Sequence, residues 1–188
     1  QTGDDPPPYL DTAVSACDRV LARAPAHLTA LSFRGYARKQ LGYYRAPTDR
    51  RGLDDLRAAL ADYRRGLSLR HDDPGILTNM GDCYVALAGY APAHGEDVFP
   101  VFEEGMTLLE QALAAAPKHR GLAMTLGSLA LMKSRYEAEH GVDPIPSATR
   151  AVAFYQQGAE GASGPEELRN LALALVDLAQ LTLEVGQD

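Results

Sequence analysis

Apolar positions along the chain recur at intervals of three and four. Leu10, Ala13, Val14, Cys17, Val20 and Leu21 form one such series, and Leu56, Ala59, Leu60, Tyr63 and Leu67 another. Each is the single stripe of an amphipathic helix, and no segment alternates as a half-buried strand does. Pro25, Asp73-Pro74 and Pro117 stand between stripes and are expected to stop a helix, while Gly95 and Gly141 suit a left-handed helix end. Asp97, and Asp143 followed by Pro144, suit an N-cap and first turn. The pattern predicts eight helices, near 6–24, 28–46, 52–70, 75–94, 98–116, 120–140, 144–160 and 165–185.

The stripes belong to a repeat. Gly35, Gly81 and Gly127 are spaced by 46 residues, as are Leu21, Leu67 and Leu113, and Tyr44, Tyr90 and Tyr136. The loop Gly95-Glu96-Asp97-Val98-Phe99-Pro100 returns as Gly141-Val142-Asp143-Pro144-Ile145-Pro146, and an earlier copy stands at Gly3-Asp4-Asp5-Pro6-Pro7-Pro8. Asp49-Arg50-Arg51-Gly52-Leu53-Asp54 fills the remaining register without the prolines. A fixed period of this length, with helical stripes inside it, predicts a stack of helical hairpins. The expected organisation is one array over 1–188, with units near 3–25, 26–71, 72–117, 118–163 and 164–188. The first and last are half repeats, so the chain reads as a piece cut from a longer array.

Composition narrows the function. The chain has 188 residues, enough for a sizeable core. With 18 Lys and Arg against 25 Asp and Glu, its net charge is −7, which argues against nucleic acid as a partner. No segment reaches the roughly 18 consecutive apolar residues of a membrane span, and residues 1–8 lack the features of a signal peptide. Cys17 and Cys83 have no metal-binding spacing and read as buried thiols in a reducing, cytoplasmic setting.

The repeat resembles the tetratricopeptide family, whose period is about 34 residues. With Gly35, Gly81 and Gly127 as the helix-A glycine, Leu31, Leu77 and Ala123 take the large packing position before it, and Pro25, His71 and Pro117 that of the hairpin-ending proline. Ala13, Ala59, Gly105 and Ala151 fall on the helix-B alanine. Cys17, Tyr63, Leu109 and Tyr155 take its bulky position, and Val20, Gly66, Ala112 and Gly158 its small one. The departure is length: about twelve extra residues fall between the helix-A glycine and the helix-B alanine, so each hairpin is longer than the family's. Long-period arrays with this loop also resemble the carboxy-terminal repeat regions of certain bacterial serine/threonine protein kinases.

The resemblance implies an all-α, right-handed solenoid of antiparallel hairpins whose helix-A row lines a concave, peptide-binding groove. The groove positions carried over are Thr29, Ser32, Tyr36, Lys39 and Gln40, then Thr78, Asp82, Val85 and Ala86, then Met124, Ser128, Leu131 and Met132. The first set offers hydrogen bonds to a peptide backbone, and the third offers a soft apolar surface unless another helix covers it. The family's carboxylate clamp needs recurring Lys, Arg and Asn, of which only Lys39 is present, so that class of guest is rejected.

Other chemistry is sparse. His94 and His140, one period apart, each precede an acid by three residues, but two ligands do not make a metal site. His27 and His119 are likewise equivalent and read as packing at a helix start. No nucleophile-elbow, zinc-protease or phosphate-loop motif occurs, so neither a catalytic role nor a cofactor is expected. The last helix, with Leu168, Leu171, Leu173, Leu175, Val176, Leu178, Leu181 and Leu183, is apolar over more than one stripe and, exposed as a terminal helix, predicts end-to-end dimers or a swapped hairpin. The expected function is a protein-interaction scaffold within a larger signalling protein. A structural array and a small-ligand sensor are the rivals.

Overall fold

A computed structural model describes residues 6–160 and 164–185, apart from the side chains of 167 and 185. The helices are α1 (Pro8–Arg23), α2 (Leu28–Arg45), α3 (Arg51–Leu69), α4 (Pro74–Tyr90), α5 (Phe99–Ala115), α6 (Arg120–Glu139), α7 (Ile145–Ala159) and α8 (Pro165–Val185). Among the described residues there is no strand, so the fold is all-α as the spacing predicts. The chain divides into two compact units, Gln1–Val98 and Phe99–Asp188. The division falls inside the sequence unit 72–117, between its two helices. Within each unit consecutive helices pack as hairpins.

The one departure in helix extent has a local cause. Residues 91–94 continue α4 as a short 3-10 helix, Ala91–His94, rather than as α-helix. Pro92 lacks an amide hydrogen and its ring clashes with the carbonyl four residues back. Gly95 then takes φ 72° and Gly141 φ 70°, the left-handed ends expected of them.

Helix starts differ in part from expectation. Asp73 and Pro74 do not stop α3, which already ends at Leu69; they open α4, the Asp73 carboxylate accepting the Ile76 amide at 3.0 Å with Pro74 in the first turn. His27 and His119 do the same work for α2 and α6, each Nδ1 accepting an amide, from Ala30 at 3.1 Å and from Leu122 at 3.2 Å. Residues 27, 73 and 119 are one period apart, so one N-cap site recurs with two side-chain chemistries. Asp143 is not itself the N-cap of α7, which is Pro144, but its carboxylate accepts the Ile145 amide at 3.0 Å. Asp49 takes the Arg51 amide in the same way at 2.9 Å before α3, so the degenerate loop copy keeps the device.

Each unit contains one tight crossing in the same register. A Cβ at Gly35 would lie 2.7 Å from Cε1 of Tyr63, and one at Gly127 would lie 2.7 Å from Cδ1 of Tyr155. The two pairs are two periods apart, and in both a large ring rests directly on a helix backbone. Around Gly35 the contacts are ionic: buried Asp62 accepts from Arg34 at 2.9 and 2.5 Å and from Arg38 at 2.8 Å, and Arg34 also reaches Asp18 at 2.5 Å. Around Gly127 the corresponding residues are buried Leu126 and Ala130, with Phe154 half-buried. Cys83 is buried, whereas Cys17 is half-buried rather than a full core residue.

Candidate functional site

In the first unit, α2 and α4 present their helix-A faces beside each other, and Lys39 ties them together. Its ammonium donates to Asn79 Oδ1 at 2.6 Å and to Asp82 Oδ2 at 2.7 Å, and it lies 5.4 Å from the ring centre of Tyr36 and 5.9 Å from that of Tyr43. At 5% exposure, with hydrogen bonds, a counter-charge and two rings around it, Lys39 is a strut between helices. Tyr43 donates to the Asp82 carbonyl at 3.2 Å and strengthens the same junction. Burial, followed by the nearby Asp82 charge, raises the Tyr43 phenol above its ordinary range.

Beside this strut opens a pocket of about 350 Å³ lined from α2 by Ser32, Phe33 and Tyr36, from α3 by Tyr63, and at the start of α4 by Ile76 and Asn79. Phe33 is 64% exposed and Tyr36 49%, an unusual amount of ring surface for one helix turn, while Tyr63 behind them is 1% exposed. The Tyr63 hydroxyl is buried and has no hydrogen-bond partner among the described residues. Burial raises its pKa above the ordinary phenol range, with Cys83, Asp82 and Asp62 adding to the shift, so the group is a neutral phenol. Its counterpart Tyr155 shares a hydrogen bond with the Ser128 hydroxyl at 3.0 Å. The position of Ser128 is held in the first unit by Tyr36.

The other expected groove residues are distributed unevenly. Thr29 is exposed, and Gln40 and Val85 are half-buried on the same helices. Thr78 spends its hydroxyl on the Pro74 carbonyl at 2.8 Å, and Ala86 is buried. In the second unit Leu131 is buried and Met132 half-buried. Met124 lies against the backbone of α7, its sulfur 2.6 Å from where a Gly158 Cβ would stand. Met124, Ser128 and Leu131 are therefore engaged inside the second unit, and the soft apolar surface they were expected to offer is largely used in packing. Phe33, Tyr63 and Asn79 line the pocket without having been expected there. Phe33 had a signal, as an aromatic residue off the apolar stripe and next to Ser32; Tyr63 reads from sequence only as the bulky helix-B residue.

The histidines of the repeated loop are occupied locally: His94 Nε2 is 2.6 Å from the Ala46 carbonyl, and His140 Nδ1 is 2.7 Å from that of Tyr136, whose ring it stacks on. Among the described residues no group of three or more His, Cys, Asp or Glu could hold a metal ion.

Neither a protein-family model nor a curated protein sequence matches the chain. Among solved structures it is similar to a human IFIT1 dimer with m7Gppp-AAAA, at 14% sequence identity and a TM-score of 0.36. The match covers 94% of this chain and 42% of that one, so the chain spans less than half the length of that protein. Among the described residues, no helix is long and apolar enough to cross a membrane.

Proposed function

We propose that this chain is a protein-interaction scaffold that takes a peptide segment of a partner on the α2 and α4 faces, in the manner of the tetratricopeptide repeats it resembles. The observation that carries the reading is the pair of exposed rings, Phe33 and Tyr36, over an open pocket at the helix-A face. Exposed aromatic surface beside a concavity is the usual anchor of a protein interface. The strut of Lys39, Asn79 and Asp82 supports it by holding the two faces together before a guest arrives. The net charge of −7 favours a peptide over a polyanion.

The test is binding of random peptide pools to the intact chain by fluorescence anisotropy, with Phe33→Ala and Tyr36→Ala as variants. Selective binding lost in both variants is expected. Binding unaffected by either, or preferential binding of a capped oligoadenylate at physiological salt, would overturn the reading. A signalling context, such as the non-catalytic arm of a serine/threonine kinase, is part of this proposal. Its test is the coding sequence on the amino-terminal side of Gln1, where protein-kinase motifs are the expected finding.

A second reading, self-association, draws on α8, where Leu168, Leu173, Leu175, Val176 and Leu183 are all exposed. Light scattering across a dilution series tests it; a strict monomer at the highest concentration would remove it.

A further inference from the structure

The pocket beneath Phe33 and Tyr36 contains one buried group left without a partner among the described residues. Tyr63 is held in place by the Gly35 backbone, where a Cβ would come within 2.7 Å of its ring, so the phenol cannot turn aside to find an acceptor. A buried hydroxyl without a hydrogen bond destabilises the free protein. Two periods on, the same phenol in the second unit is satisfied by Ser128 at 3.0 Å. The repeat thus contains a ready solution, and the first unit has the larger Tyr36 there instead.

Two other polar groups of the pocket are already committed. Asp73 caps the Ile76 amide at 3.0 Å and pairs with Arg70 at 3.0 Å. Asn79 accepts from Lys39 at 2.6 Å and donates to the Gly75 carbonyl at 2.7 Å. The carboxylate and the amide are thus spoken for, which leaves only neutral hydroxyls: that of half-buried Ser32 and, among apolar walls built by Phe33, Tyr36 and Ile76, the fully buried phenol of Tyr63. Such a site suits a guest with a flat apolar body and a neutral hydrogen-bonding tip, and it gives an ammonium or a carboxylate no counter-charge of its own.

Resting on the peptide-binding reading, we infer that this pocket is the specificity pocket of the groove, and that it takes a tyrosine or tryptophan side chain of the guest peptide, whose polar tip hydrogen-bonds the Tyr63 hydroxyl. The body of the guest ring lies against Phe33. Its tip reaches the phenol as Tyr36, half in solvent, swings away.

The experiment uses the full chain and random peptide pools in which one central position is fixed in turn as Tyr, Trp, Phe, Leu, Asp or Lys. The Tyr and Trp pools are expected to bind about tenfold more tightly than the Asp and Lys pools. Tyr63→Phe keeps the ring against Gly35 and removes only the hydroxyl. It should weaken the Tyr pool about tenfold and leave the Phe pool unchanged, a coupling that a merely structural role would not produce. Tyr155→Phe, the control, should lower the melting temperature and leave every pool unaffected. If no pool binds, the peptide reading falls with the pocket. If pools bind without aromatic preference, or the Tyr pool ignores Tyr63→Phe, the pocket assignment falls alone. Should Tyr63→Phe fail to fold, N-acetyltyrosinamide titrated into the unsubstituted chain decides: chemical-shift changes at Phe33 and Ile76 are expected, and their absence overturns the assignment.

Discussion

Where α2 crosses α3, the carboxylate of Asp62 is gripped by Arg34 and Arg38; where α6 crosses α7, the residues two periods on are Phe154, Leu126 and Ala130. Both crossings bring a tyrosine ring onto a glycine backbone at the same distance. The common geometry therefore belongs to the glycine and the ring, and the flanking side chains are free to be ionic in one unit and apolar in the other. A buried ion pair adds little net stability over a well-packed apolar pair, yet removing one partner is costly because it strands the other charge. The two crossings are alternative solutions of one packing problem with different vulnerabilities.

The largest test of that comparison is Asp62→Ala, expected to cost about 3–5 kcal/mol by leaving Arg34 without its buried partner. The triple variant Arg34→Leu, Arg38→Ala and Asp62→Phe, which copies Leu126, Ala130 and Phe154 of the second unit, should recover most of that loss in denaturant unfolding. A triple variant no better than the single would show that the two solutions are not interchangeable. Next come Gly35→Ala and Gly127→Ala, where the added methyl meets the middle of a tyrosine ring; each should cost about 1–3 kcal/mol. A neutral result at either site would end the claim of a shared crossing.

Smaller effects separate the two phenols. Tyr155→Phe breaks the bond to Ser128 and should cost about 1 kcal/mol, whereas Tyr63→Phe removes an unpartnered group and should cost nothing or stabilise. Equal losses would mean that the Tyr63 hydroxyl is satisfied in solution. A last test is alkaline. Burial pushes the Cys83 thiol from 9.0 up to about 12, against the pull of the Lys39 ammonium. The folded value lies above the unfolded one, so its contribution is complete below about pH 9 and is lost as pH rises toward 12. Both cysteines lie in the first unit, so this thiol-linked loss belongs to that unit and should shrink in Cys83→Ala, as read from unfolding free energy across that window. An unchanged slope would assign the alkaline loss to other groups.

Much of the fold is legible because its determinants are local and repeated. Apolar stripes, and glycine or proline near the ends, place all eight helices close to their observed limits, and Pro92 accounts for the one misjudged turn. The caps were less legible: Asp73, though a common N-cap residue, stood among the expected helix stops, His27 and His119 read as packing, and only the shared register of the three hints at their role. The candidate site was harder. Ser32 and Tyr36 follow from register, but Lys39 looks like a free cation until Asn79 and Asp82, forty or more residues away, are found holding it. Tyr63 was the least legible. Whether its hydroxyl is satisfied depends on residue 36 against residue 128, a difference in side-chain reach that spacing does not reveal.

The seat of the Tyr63 ring over Gly35, too close for a Cβ, also bears on motion. A half-turn of that ring about its own axis sweeps its edge through space the backbone of α2 already fills, so the flip must wait for the two helices to part briefly. Exchange between the two sides of the ring is thus a built-in clock for the breathing of the first unit, and Tyr155 keeps the corresponding time in the second.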